Sequence, residues 1–464
     1  MNKEIQIKKL KNTIILIEFT LKCRYNNIGG QNMLIEFRFK NYRSFRDEAV
    51  LSMEAVGLSS LKKCLIEYSN KKLLPGVAIY SKNGGGKSNV IRAFWLGVQF
   101  IRNAQRIQHE RAIVPVVPFT LNDYSMNEPT EFEFDYIVDG VKYWYSFAAT
   151  RERIVKESLF HAPKGQKAQI FVREEQSFTF TEDKAKRKLI SETVAENQLF
   201  FSVACTMNDT VCINAMKWFR ENIFFSRDYT DIPRQLLEYY NNGNMLKAIS
   251  DYAKTADFGI EDIQFEVEDR EVGNDFKLSD DIPDKIKNAL TSFIQILSET
   301  SNNSEGKLKM SRVKAKARHK GISATGDIQF YDMELEDESD GTRRLMSIAP
   351  VIESVLNRGG VLLVDELERE LHPRLVNFIV AKFQSKKSNP NGAQIIFTTH
   401  NTELMNLEIM RKDQIYFVDK KRTDGSSELY SVTDFNTKTA DNIRKGYLAG
   451  KYGATPDIEI EEVV

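Results

Sequence analysis

The chain has 464 residues, 42% hydrophobic and 28% charged, with 65 basic and 65 acidic side chains that cancel. That length supports a sizeable core in two or three lobes, and the balanced charge argues against a chain-wide electrostatic grip on nucleic acid. Four cysteines (Cys23, Cys64, Cys205, Cys212) without a CxxC pair fit a reducing, cytoplasmic setting, and no apolar run of about 20 residues marks a membrane span.

In chain order, residues 1–32 read as a non-native or disordered extension. Met33 opens a cleaner start, "MLIEFRFKNYRSF", and Gly29–Gly30 matches what a purine-rich ribosome-binding sequence just ahead of it would encode. Alternation at Leu34, Glu36, Phe37 and Phe39, resuming at Val50–Met53, predicts strands around a polar turn at Asn41–Asp47. "LLPGVAIY" predicts a short buried strand, after which Val90, Ile91, Phe94, Val98 and Ile101 recur at helical spacing. Asp139–Gly140 is placed as a hairpin turn between aromatic-rich strands. Strand-like pieces continue to Phe180, and about 184–300 reads as mainly helical, with the polar "SETSNNSEGK" as an exposed loop. Two short buried strands, "GGVLLVDE" and "AQIIFTTH", then restore an α/β pattern. The expected fold class is therefore α/β, a core split by a large α+β insertion. Residues 33–150 form its first part, 151–324 the insertion (strands, then helices) and 325–464 its second part.

Four motifs carry chemistry. "AIYSKNGGGKSNV" is a phosphate loop with its opening glycine replaced by Ser81. Backbone N–H groups of Asn83, Gly84, Gly85 and Gly86 would surround the phosphates at a helix N-terminus, and Lys87 would neutralise β/γ-phosphate charge. Ser88 would place its hydroxyl on Mg²⁺. The first loop position is a hinge that a small serine fills if its φ stays negative. In "VLLVDE", four apolar residues deliver Asp365, a metal ligand through water, and Glu366, which would polarise the attacking water. In "IIFTTHN", His400 ends a second buried strand about one helix and loop later, in reach of a γ-phosphate. In "ESDGTRRLMSIAPVIESVL", Ser339 and Gly341 open a helix with Leu345, Ile348, Ile352 and Val355 on one face and Pro350 as a kink. Alone, each has a bland reading: a glycine turn, an acidic strand end, a structural histidine, a capped core helix. Together, in this order, they specify a site.

The set resembles the ABC-type ATPase superfamily, and "NGGGKSN", with Asn89, is closer to its RecF and SMC-like branch than to transporters. "ESDGTRRL", "DELERELHPRL" and "TTHN" are similar to the AAA-family phage-defence ATPases of the overcoming-lysogenization-defect, abortive-infection and RloA type. The resemblance covers 33–120 and 325–455 and is weak between them. It implies a mixed core sheet, ATP and Mg²⁺ as ligands, and hydrolysis to ADP and phosphate. It also implies a homodimer in which Ser339 and Gly341 touch the γ-phosphate of ATP held by the second subunit. Members of the overcoming-lysogenization-defect type carry a Toprim nuclease after the ATPase. Only 64 residues follow His400 here, so the resemblance implies a Toprim- or RloB-like effector nuclease acting in trans. Two departures stand against the pattern: Ser81, and the absence of a recognisable glutamine loop, since Gln99 and Gln105 lie in the helix region and none marks "VPFTLND".

One basic run stands apart. Lys314, Lys316 and Arg318 alternate with Val313, Ala315 and Ala317, giving a cationic strand face that suits nucleic acid or, the favoured reading, a solvated face balanced by "DMELEDESD". Cys205 and Cys212 read as ordinary buried thiols. Two alternatives to a defence switch remain open: a RecF/SMC-like DNA-repair or chromosome-maintenance ATPase, and a slow-turnover ATP-bound scaffold. A transporter subunit is disfavoured by the signature and the insertion.

Overall fold

The computed structural model describes residues 5–8, 16–19, 32–104, 114–226, 243–257, 259–271, 309–437 and 442–455. The chain divides into two compact units, Met1–Asn27 with Asp228–Pro350, and Ile28–Arg227 with Val351–Val464.

The second unit is built on two sheets. Its mixed sheet has the order Ile223–Ser226, Val361–Val364, Gln394–Thr398, Gly76–Tyr80, Ile415–Lys420, Ser427–Ser431. Every pairing in it is parallel except the last. Gly76–Tyr80, Val361–Val364 and Gln394–Thr398 are buried along their whole length, which is why they read as unbroken apolar runs instead of alternating ones. The other sheet is seven-stranded and antiparallel, from Ser177–Phe180 through Ala168–Glu174, Ile154–Ala162, Val141–Ala149, Thr130–Val138 and Met33–Lys40 to Ala49–Ser52. Asp139 and Gly140 have φ of 50° and 77°, as the tight hairpin between Thr130–Val138 and Val141–Ala149 requires.

The helix Lys87–Asn103 packs its apolar face into the core of this unit. Phe94 meets Phe37 and Phe134 with ring centroids 4.7 and 5.4 Å apart. Gly97 permits the approach, because a Cβ there would stand 2.9 Å from the Phe134 ring. Gln394 ties the two sheets together. Its fully buried amide accepts from Leu34 N at 2.7 Å and donates to the carbonyls of Leu34 and Leu74, both at 3.1 Å. Gln394→Ala would strand three buried backbone groups, so denaturant unfolding is expected to show a loss of about 1–3 kcal/mol. No loss would mean that water replaces the amide.

The expected α/β class, with a mixed core sheet and a large insertion, is the one observed. Within the segment read as insertion, residues 151–226 lie in the same unit as the phosphate loop and complete its antiparallel sheet. Ile223–Ser226, in a stretch read as helical, is the edge strand of the mixed sheet, its parallel pairing with Val361–Val364 beyond the reach of local pattern.

The other unit holds a three-stranded antiparallel sheet, Ile260–Glu271, Lys309–Ile322 and Ile328–Glu334. Ile260–Glu271 also falls in the stretch read as helical, but apolar Ile263 and Phe265 alternating with polar residues are strand-like. The helix Gly243–Ala256 sets Ile249 and Ala253 against Ile260, Ile263, Ala315 and Ala317 in a small core that includes Leu335 and Met346. The helix Asp340–Arg358 starts here, with Pro350 inside it. In residues 1–32, Ile5–Lys8 and Leu16–Phe19 pair antiparallel, and most of the rest lies outside the described residues. So do "SETSNNSEGK" and Gln105. No helix among the described residues is long and apolar enough to cross a membrane.

Candidate nucleotide site

Three of the four motifs converge because three strands are neighbours. The acidic strand Val361–Val364, the histidine strand Gln394–Thr398 and the loop strand Gly76–Tyr80 lie side by side and parallel, so their carboxyl ends open on one edge. That edge is where ligands bind in α/β sheets.

The loop leaves the strand at Ser81, only 1% exposed, whose Oγ donates to the Lys82 carbonyl at 2.9 Å. Gly84 and Gly86 have φ of 74° and 113°, a region closed to most side chains. A Cβ on Gly86 would stand 2.7 Å from Ser427 Oγ and 2.8 Å from Ser44 Oγ, and one on Gly85 only 1.9 Å from Ser81 Oγ. Ser81 thus fills the space beneath Gly85. The replacement is matched by the loop, not merely tolerated. Two distant serines hold it from behind: Ser427 Oγ donates to the Gly85 carbonyl at 2.8 Å, and Asn89 Nδ2 to Ser44 Oγ at 2.9 Å. Ser81→Gly would remove one local hydrogen bond and add chain entropy of about 0.4–1 kcal/mol. ATP affinity measured by calorimetry should change by less than about fivefold; a gain beyond tenfold would mark the loop as degenerate.

Lys87 opens the helix and is 7% exposed; its Nζ lies 2.5 Å from His400 Nε2. Lysine has no acceptor, so the imidazole accepts. Burial and the Lys87 charge both push His400 below its ordinary range, opposed by Glu368 and Glu366, which favours the neutral ring that this contact needs. Across the neighbouring strand, one hydroxyl arranges both acids. Thr398 Oγ1 donates to Asp365 Oδ1 and accepts from Glu366 N, each at 2.7 Å. Glu366 has φ of 55°, an unusual conformation for a non-glycine residue and one often found where chemistry is done.

The donor set fits the ligands that the motifs imply. Backbone N–H groups at a helix N-terminus and a buried ammonium suit a polyphosphate. The Ser88 hydroxyl and Asp365 carboxylate are hard oxygen ligands of the kind Mg²⁺ prefers. Asn83, Gly84, Gly85, Gly86, Lys87, Ser88, Asn89, Asp365, Glu366 and His400 all belong to the second unit. Ser339 and Gly341 belong to the first, where Ser339 Oγ accepts from Thr342 N at 3.1 Å and caps the helix. Ser44, Thr398, Ser427 and Glu368, which receives the His400 N–H, were not legible as site residues beforehand. Their only sequence signal is a small polar or acidic side chain at an element end.

The basic run forms a strand, but its cations face carboxylates across the sheet. Lys316 lies 3.4 Å from Glu266 and 3.9 Å from Glu334, and Arg318 is 2.9 Å from Asp332. That pairing reduces what the stripe offers to phosphates. Cys205 and Cys212 are buried, and burial pushes Cys205 up to about 12.

Residues 78–406 match the family model described as "AAA domain, putative AbiEii toxin, Type IV TA system". Solved structures similar to this chain include the SMC head bound to the C-winged helix domain of ScpA, at 14% identity over 86% of this chain and 97% of that one, TM-score 0.40. The SMC head domain from Thermotoga maritima matches at 12% identity over 86% and 98%, TM-score 0.35. The recombination mediator protein RecF with ATP matches at 12% identity over 88% and 100%, TM-score 0.34. At these scores the likeness is loose.

Proposed function

The chain belongs to the AAA-domain family described as putative AbiEii toxin, Type IV TA system, and from that premise we propose that it binds ATP with Mg²⁺ and hydrolyses it as a nucleotide-driven switch. The observation that carries the reading is the convergence of the Lys87 loop, the Asp365–Glu366 pair and His400 at the carboxyl ends of three adjacent parallel strands.

Backbone N–H groups from Asn83 to Ser88, with Asn89 buttressing their loop, hold the phosphates, and Lys87 shares the β/γ charge. Ser88 and Asp365 hold Mg²⁺, which supplies charge neutralisation on the phosphates. Glu366 takes the proton of the attacking water, and His400 offers a hydrogen bond to the γ-phosphate. Binding closes a homodimer when Ser339 and Gly341 of one chain complete the site of the other. By resemblance to the phage-defence ATPases, the switch acts in the cytoplasm in antiphage defence and controls an effector nuclease of the Toprim or RloB kind in trans. Fold likeness alone does not name that effector.

The test is mass and turnover together. Wild type should release phosphate from ATP, and Glu366→Gln should bind ATP and accumulate as a dimer by light scattering. A wild type that binds ATP without turnover, with or without candidate partners, would leave a scaffold instead of an enzyme.

A further inference from the structure

The acidic turn carries a third carboxylate that none of these roles uses. Glu368 Oε1 accepts from the backbone N–H of His400 at 2.5 Å. Its Oε2 is buried and has no hydrogen-bond partner among the described residues. The surrounding chain is already fixed by other contacts. Leu367 N donates to the Thr398 carbonyl at 3.1 Å, Leu371 N to the Glu368 carbonyl at 2.9 Å, and Thr399 N to the Ile79 carbonyl at 3.1 Å. Past Thr399 the parallel ladder has ended, and His400 N meets a side chain from 32 positions away instead of a strand. On the far side, Tyr80 OH donates to the Asn401 carbonyl at 3.0 Å. The histidine loop is therefore clamped between Glu368 and Tyr80. Glu368 is half-buried and His400 exposed, so this one bond, with the second carboxylate oxygen left unmatched, is a modest stabiliser of the fold. Its placement makes sense if the clamp serves turnover.

We propose that Glu368 is a positioning residue for ATP turnover: by gripping the main chain of His400 it holds the imidazole toward Lys87, at the height where a γ-phosphate would meet it. Glu368 itself touches neither phosphate nor water. The inference rests on the hydrolytic reading of the site.

The experiment compares Glu368→Ala and Glu368→Gln in the full chain, with wild type and Glu366→Gln alongside. Hydrogen exchange of the peptide spanning 399–402 reads the clamp directly, and steady-state kinetics read its consequence. Glu368→Ala should exchange faster there and lower kcat about 10- to 100-fold, while KM for ATP moves less than about threefold. Glu368→Gln should restore both protection and kcat, because its amide oxygen accepts the same N–H. The proposal is overturned if Ala leaves exchange and kcat unchanged. It is equally overturned if Gln regains protection but stays as slow as Ala, which would assign the carboxylate a chemical role. A wild type without turnover would defeat the hydrolytic reading instead, and with it the kinetic role given to Glu368, whatever the exchange data show of the clamp.

Discussion

Lys87→Ala should lower ATP affinity by about 2–5 kcal/mol, roughly 30- to 5,000-fold, while leaving the protein folded. Both halves follow from where the side chain sits. Lys87 is 7% exposed at the first position of its helix, and among the described residues no carboxylate pairs with it. Its near partner is a neutral acceptor, His400 Nε2 at 2.5 Å. Removing the ammonium therefore breaks no ion pair and leaves no counter-charge buried, so the melting temperature should hold or rise. Binding is different, because a triphosphate in the loop would lose the buried ammonium that shares its β/γ charge. Titration calorimetry with ATP, paired with thermal unfolding, separates the two effects. A variant that binds ATP as well as wild type would remove the phosphate-loop reading; one that fails to fold would show that Lys87 is structural.

The parts of this architecture that were legible in the sequence are those written in local pattern. A buried strand, three glycines and a helix with 3.6-residue periodicity lie within about 30 residues, and each constrains the next. The acidic strand and the histidine strand were legible for the same reason: runs such as Val361–Val364 are apolar throughout because both faces are buried. What stayed hidden depends on contacts between residues far apart in the chain. Ser427 supports Gly85 from 342 positions away, and Thr398 reaches Asp365 across 33. Neither partner's identity follows from spacing, because a serine or threonine at a strand end ordinarily meets water. Ile223–Ser226 was hidden for a related reason: four residues behind a helix make a strand only because Val361–Val364 offers a parallel edge. Ser81 lay between these cases. Its departure from the loop pattern was visible, but only the space beneath Gly85 explains why a serine belongs there.

Glu366→Gln should slow hydrolysis about 10²- to 10⁴-fold, the contribution expected of a general base, with ATP affinity held or increased. The substitution is nearly isosteric, and the backbone that presents the side chain is fixed independently of its charge. Glu366 N donates to Thr398 Oγ1 at 2.7 Å, and the residue's φ of 55° is enforced by the turn that continues through Leu367 N to the Thr398 carbonyl. Glutamine can therefore occupy the same place while being unable to accept the water's proton. Thr398 also keeps its hold on Asp365, so the metal-side oxygen is undisturbed. Single-turnover measurement, with wild type and variant each in excess over ATP, separates the chemical step from product release. If the variant hydrolyses as fast as wild type, the base lies elsewhere, and the strained acidic turn serves binding alone. If it loses affinity as well as rate, Glu366 contributes to the ground state and the division of labour between the two acids must be redrawn.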